Sequence, residues 1–108
     1  MRKPIIVGNW KMNKTIAEAV AFVDAIEPLL HHDADFGVGV PFLTLEKSVA
    51  HANHLLIAAQ NVHFEDSGAF TGEVSVSMLK EVGVTWCIIG HSERRTYFGE
   101  TDATVNKK

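Results

Sequence analysis

Four short apolar runs punctuate the chain: Ile5-Ile6-Val7-Gly8-Asn9-Trp10, Phe36-Gly37-Val38-Gly39-Val40, Leu56-Ile57-Ala58-Ala59-Gln60 and Trp86-Cys87-Ile88-Ile89. None alternates cleanly between apolar and polar residues, so each suits a strand buried on both faces, as in a parallel sheet. Between them the apolar period lengthens. Ile16, Ala19, Val20, Val23, Ile26 and Leu30 recur at helical spacing behind Thr15-Ile16-Ala17-Glu18, which has the spacing of a capping box. Pro28 predicts a bend or an end to that helix near His31-His32. Pro41 stops the second strand, and Thr44 is placed to cap a helix through Asn53, with Leu45, Val49 and Ala52 on one side. A third helix is expected from Ser75 through Val82, closed by Gly83. Strands recurring about every thirty residues with helices between them give the rhythm of βαβ units.

Two stretches break the rhythm. Asn61 to Gly72 is long and polar, with Gly68, Gly72 and an exposed-looking Phe70, and a loop of that length usually has a job. Thr101 to Lys108 begins like a capped helix and stops after about two turns, so this reading has the chain cut inside a helix.

Composition narrows the class. At 108 residues there is room for one domain, and 46% hydrophobic with 21% charged residues is ordinary for a soluble globular protein. A formal charge of -3 and the absence of a basic patch argue against nucleic acid and anionic membrane as partners. The apolar run at the start is too short for a signal peptide or a spanning helix. The one cysteine, Cys87, cannot form an internal disulfide, which makes a reducing cytoplasm the simplest location.

The chemistry concentrates in Gly90-His91-Ser92-Glu93-Arg94-Arg95, directly after the fourth apolar run. Gly90 permits a sharp turn and close approach of a ligand. His91 falls at a strand's carboxyl end and, if the next residues coil, at a helix start, where N–H groups favour neutral imidazole. A neutral imidazole can donate a hydrogen bond to a substrate oxygen. Taken alone, the same residues suit a loop histidine beside a solvated turn.

Four stretches together carry more. Gly8-Asn9-Trp10-Lys11-Met12-Asn13, Gln60-Asn61-Val62, Gly68-Ala69-Phe70-Thr71-Gly72-Glu73 and Gly90-His91-Ser92-Glu93-Arg94-Arg95 resemble the triosephosphate isomerase family in order and spacing. The resemblance covers the whole chain, whereas the chain covers the first four strands and three helices of that family's eight-fold barrel. It implies an α/β half of a (β/α)8 barrel, with four parallel strands completed by self-association, and one domain over residues 1–108. It also implies the glycolytic and gluconeogenic interconversion of dihydroxyacetone phosphate and glyceraldehyde 3-phosphate, with a triose phosphate as substrate and no cofactor.

Under that resemblance His91 is the electrophile that polarises the carbonyl, and Lys11 places a cation beside the phosphate and the developing enediolate. Asn9 orients Lys11 and a substrate oxygen, and Glu93 is a second carboxylate near the lysine. Arg94 and Arg95 suit ion pairs better than catalysis. The loop around Thr71 resembles the one that docks into a second subunit, with Phe70 adding apolar area. The family's proton-abstracting glutamate, its lid and its phosphate-binding turns have no counterpart here, so negligible activity is expected of the 108 residues alone. Open sheet edges and an apolar inner face predict a dimer or larger assembly. The alternatives are a non-catalytic self-assembling half-barrel module and a metal site. The latter rests on six histidines, including His51, His54 and the pair His31-His32, with no Cys pair or H-E-x-x-H pattern behind it.

Overall fold

The first helix forms where the capping box places it. In the computed structural model, which describes residues 2–108, Thr15 Oγ1 accepts the Glu18 N–H while Glu18 Oε1 accepts the Thr15 N–H at 3.0 Å. Helix α1 runs Ile16–Ile26 and stops two residues short of Pro28, which lies inside a 3₁₀ turn over Glu27–Leu29. Pro28 therefore acts slightly earlier than the His31-His32 boundary the sequence suggests. Ala19 and Val23 are the buried stripe of this helix, whereas Ile16 is exposed.

Helix α2, Phe42–His51, corrects one expectation. Its N-cap is Pro41, not Thr44, and it ends two residues before Asn53. Proline is pre-set for a helix entrance and has no N–H to leave unpaired there. Thr44 is instead buried in the first turn, its hydroxyl donating to the Pro41 carbonyl at 3.0 Å. Helix α3, Val76–Glu81, is capped by Ser75, and Gly83 follows with a φ of +89°. Two short helices close the chain, α4 over Ser92–Phe98 and α5 over Asp102–Lys107. Gly99 takes the left-handed position between them, and Thr101 with Thr104 caps α5.

The strands are β1 Ile5–Asn9, β2 Asp35–Val40, β3 Leu56–Ala59 and β4 Trp86–Cys87. They form one parallel sheet in the order 1-2-3-4, with Val7 opposite Gly37, Gly39 opposite Ala58 and Ala58 opposite Trp86. Period-two alternation sends Val38, Val40, Ile57 and Ala59 to the helix side. There they meet Val23, Leu45, Leu55, Val62, Leu79 and Val84 in the hydrophobic core. The other face carries Val7, Gly37, Leu56, Ala58, Trp86 and Ile88 around a shallow apolar depression.

Burial on both faces, expected of all four strands, holds for the middle of the sheet only. All five residues of β1 and both of β4 are exposed. They are the two edges, and among the described residues neither is covered on its inner side, while Ile6, Gly8 and Cys87 stay exposed on the helix side as well. The shape agrees. The radius of gyration is 14.5 Å, with extents of 41 × 34 × 23 Å, against about 13 Å for a closed domain of roughly 100 residues.

The segment from Asn61 to Gly72 is organised without regular structure. His63 N–H donates to the Val74 carbonyl at 2.8 Å, and the His63 ring stacks on Phe64 at a centroid distance of 4.4 Å and lies tilted against Phe70 at 4.3 Å. Gly68 and Gly72 supply positive φ angles. No helix among the described residues is long and apolar enough to cross a membrane.

Candidate active site

A parallel sheet brings the carboxyl ends of its strands to one side, and the polar residues that end these strands gather there. Asn9 ends β1, Gln60 follows β3, and Gly90-His91 follows β4. Together with Lys11, Met12, Ile88, Glu93, Arg94 and Phe98 they line an open cleft of about 190 Å³. The four residues singled out from the sequence, Asn9, Lys11, His91 and Glu93, thus share one cleft.

Lys11 has a φ of +56°, a left-handed conformation rare for a residue with a side chain. Its N–H donates to Asn9 Oδ1 at 3.0 Å, and its ammonium reaches Glu93 Oε1 at 2.5 Å. The hydrogen bond from Lys11 holds the Glu93 carboxyl below the ordinary carboxylate range. Desolvation opposes this shift, and the charge of Lys11 adds to it. His91 is the N-cap of α4, and its Nδ1 accepts the Glu93 N–H at 3.1 Å. In this arrangement Nδ1 is unprotonated, which leaves Nε2 as the nitrogen that can carry a proton and donate it.

The arginines behave as ion pairs. Arg95 donates to the Gly90 carbonyl at 2.9 Å and to Asp102 at 2.7 Å, bracing the turn that presents His91. Arg94 pairs with Glu100, whose carboxylate also takes the Lys108 ammonium at 2.8 Å; Lys108 in turn donates to Asn61 Oδ1 at 2.7 Å. Burial pushes the Glu100 carboxyl up, and the Lys108 and Arg94 contacts outweigh it, for a net lowering. Thr71 lies in the exposed loop and is not among the residues lining the cleft. Among the described residues, no three His, Cys, Asp or Glu side chains converge as a metal site would require.

Gln60 is the polar member of the cleft to which sequence reasoning gave no role, although Gln60-Asn61-Val62 is one of the stretches that carry the resemblance. Its Nε2 lies 3.1 Å from Asn9 Oδ1, 2.9 Å from the Lys11 carbonyl and 3.1 Å from the Gly39 carbonyl. The available signal was positional: a polar side chain ending an apolar run, at the same sheet end as Asn9 and His91.

Comparison with known proteins gives one answer. A family model described as triosephosphate isomerase matches residues 4–108. The triosephosphate isomerase of Acetivibrio thermocellus is 58% identical over 110 residues, covering 99% of this chain and 44% of that protein. That of Alkaliphilus metalliredigens is 54% identical over 111 residues, covering the whole chain and 45% of the relative. The crystal structure of triosephosphate isomerase from Bartonella henselae superposes with a TM-score of 0.92 at 40% identity, over 99% of this chain and 46% of that one. The chain spans about half the length of the relatives it matches, and its four parallel strands correspond to half a barrel. On the strength of that match and of the cleft it frames, the chain belongs to the triosephosphate isomerase family.

Proposed function

We propose that this chain supplies the electrophile and the cation of a site that interconverts dihydroxyacetone phosphate and glyceraldehyde 3-phosphate, as part of glycolysis and gluconeogenesis in the cytoplasm. The observation that carries the reading is the meeting of Lys11, His91 and Asn9 in one cleft at the strands' carboxyl ends. His91, accepting at Nδ1, donates from Nε2 to the substrate carbonyl and makes the adjacent carbon-bound proton more acidic. Lys11 then faces the negative charge that develops on the enediolate oxygen and the substrate phosphate. A fixed cation is worth most where it meets charge that appears only in the transition state. Asn9, tied to the Lys11 backbone, sets the lysine's approach. No cofactor enters this scheme.

Among the described residues Glu93 is the one carboxylate lining the cleft, and it is engaged with Lys11. A carboxylate held below its ordinary range is a poor base near neutrality. This supports the reading that the proton-abstracting group, with the lid and the phosphate-binding turns, lies outside these 108 residues. Positioned proton transfer contributes about 10²–10⁴-fold in rate. A polypeptide of these 108 residues is therefore expected to show negligible turnover in a coupled isomerase assay. Mixing it with the complementary half of a relative's barrel is expected to restore turnover. Activity near that of a complete enzyme from the 108 residues alone overturns the assignment of the base.

A second reading, a non-catalytic module that self-associates, is favoured by one observation. Ile5, Ile6 and Val7 on one sheet edge are about half exposed, at 52%, 55% and 47%, and Trp86 on the other edge is 43% exposed. Open edges and uncovered apolar faces associate. Under either reading a dimer or larger assembly is expected, through these edges and the loop around Thr71. A stable monomer at micromolar concentration in sedimentation would end the self-association proposal.

A further inference from the structure

We propose that Gln60 is the positioning residue that holds Lys11 in its left-handed conformation, with the ammonium directed across the cleft to Glu93. For the catalytic consequence this rests on the isomerase reading; the geometry stands without it. A residue with a Cβ is crowded against its own following carbonyl at φ near +56°, so something outside Lys11 must hold it there. Both ends of its peptide unit lead to one side chain. The Lys11 carbonyl accepts from Gln60 directly, and the Lys11 N–H donates to Asn9 Oδ1, which also accepts from Gln60. The Gly39 carbonyl is a third acceptor, so the two amide protons of Gln60 serve three oxygens and one proton is shared.

Gln60 crosses β2 at Gly39, where a Cβ would be only an ordinary neighbour to it and the close packing is with Ile88. A Cβ built at Gly39 would lie 3.7 Å from Gln60 Cγ and 2.5 Å from Ile88 Cδ1. With the Gln60 amide gone, the Lys11 backbone is expected to relax to a negative φ. Its ammonium then leaves Glu93, and the cation is no longer placed beside His91.

The test reads geometry, not turnover. In isotopically labelled protein, Lys11 carbon shifts and amide coupling report φ, and the Glu93 carboxyl carbon reports its titration beside the Lys11 ammonium. Gln60→Met keeps the length of the stem and removes both donors. We expect the positive-φ signature of Lys11 to be lost and the Glu93 midpoint to move upward, while α1 and α2 amide shifts stay in place. Gln60→Glu, with acceptors only when ionised, is the second variant should the methionine form not fold. The unmodified chain offers a variant-free measurement: the Gln60 side-chain amide protons are expected to exchange slowly with solvent. Lys11 at positive φ with an unmoved Glu93 midpoint in a folded variant overturns the proposal, as does exchange of the Gln60 amide at the free-solvent rate. If the geometry responds as described and complementation yields no turnover, the positioning role stands and the isomerase reading falls.

Discussion

Gly90 and Gly99 form a controlled pair for testing how tightly the turn before His91 is packed. Both have a left-handed φ, at +65° and +68°. A Cβ at Gly99 meets nothing within 4 Å, whereas one at Gly90 lies 2.9 Å from both Val105 methyls and 3.1 Å from Arg95 Nη2. Gly99→Ala therefore isolates the backbone penalty, about 1–2 kcal/mol. The stiffer unfolded chain offsets roughly 0.4–1 kcal/mol of it. The net loss expected is about 1 kcal/mol. Gly90→Ala carries the same net penalty plus overpacking of about 1–3 kcal/mol, for a total of about 2–4 kcal/mol. Val105 is on α5, and Arg95 braces the Gly90 carbonyl, so relief of the clash must move one of the elements that frame His91. The assay is urea denaturation followed by tryptophan fluorescence, at fixed protein concentration because association would shift the midpoint. Equal losses for the two variants, within a few tenths of a kcal/mol, would refute the packing argument.

Three further outcomes follow from the charged groups. The Glu27 carboxylate accepts the N–H groups of Asn53, His54 and Leu55 at 2.6, 2.9 and 3.0 Å, pinning the turn between α2 and β3. Burial raises its pKa, but the three N–H bonds together lower it below the usual value. A lowered folded-state pKa means stability present above the unfolded carboxylate range and lost as pH falls through the folded value. Glu27→Ala is thus expected to cost about 2 kcal/mol at pH 7, by urea midpoint, and the difference from the parent should shrink in acid. Glu100→Gln leaves the buried Lys108 ammonium and Arg94 without their counter-ion and is expected to cost about 3 kcal/mol. The same denaturation measurement checks it. Lys11→Met should raise the titration midpoint of the Glu93 carboxyl followed by NMR, since the Lys11 hydrogen bond is the leading cause of its lowering.

Local physics made much of the chain legible from its letters. The Thr15–Glu18 capping box and Gly83 as a closing residue depend on neighbours within a few positions, and each appears where the sequence puts it; the helix expected from Ser75 begins one residue later, with Ser75 as its cap. The apolar runs gave the four strands, and strand polarity then placed Asn9, Lys11, His91 and Glu93 at one end. Thr44 misled because a threonine before an apolar helix looks like a cap, while Pro41 three residues earlier competes for the same entrance and wins.

By itself, then, the sequence determined the elements, their order and the residues that end the strands, because those follow from periodicity and from groups close along the chain. Tertiary structure alone decided which strands are edges, since an apolar run reads the same whether or not another layer covers it. It also decided the partners of Gln60, Glu27 and Glu100. Their hydrogen bonds join residues tens of positions apart, or near in sequence but brought together by turns such as that at Gly99, and only the folded chain fixes those distances.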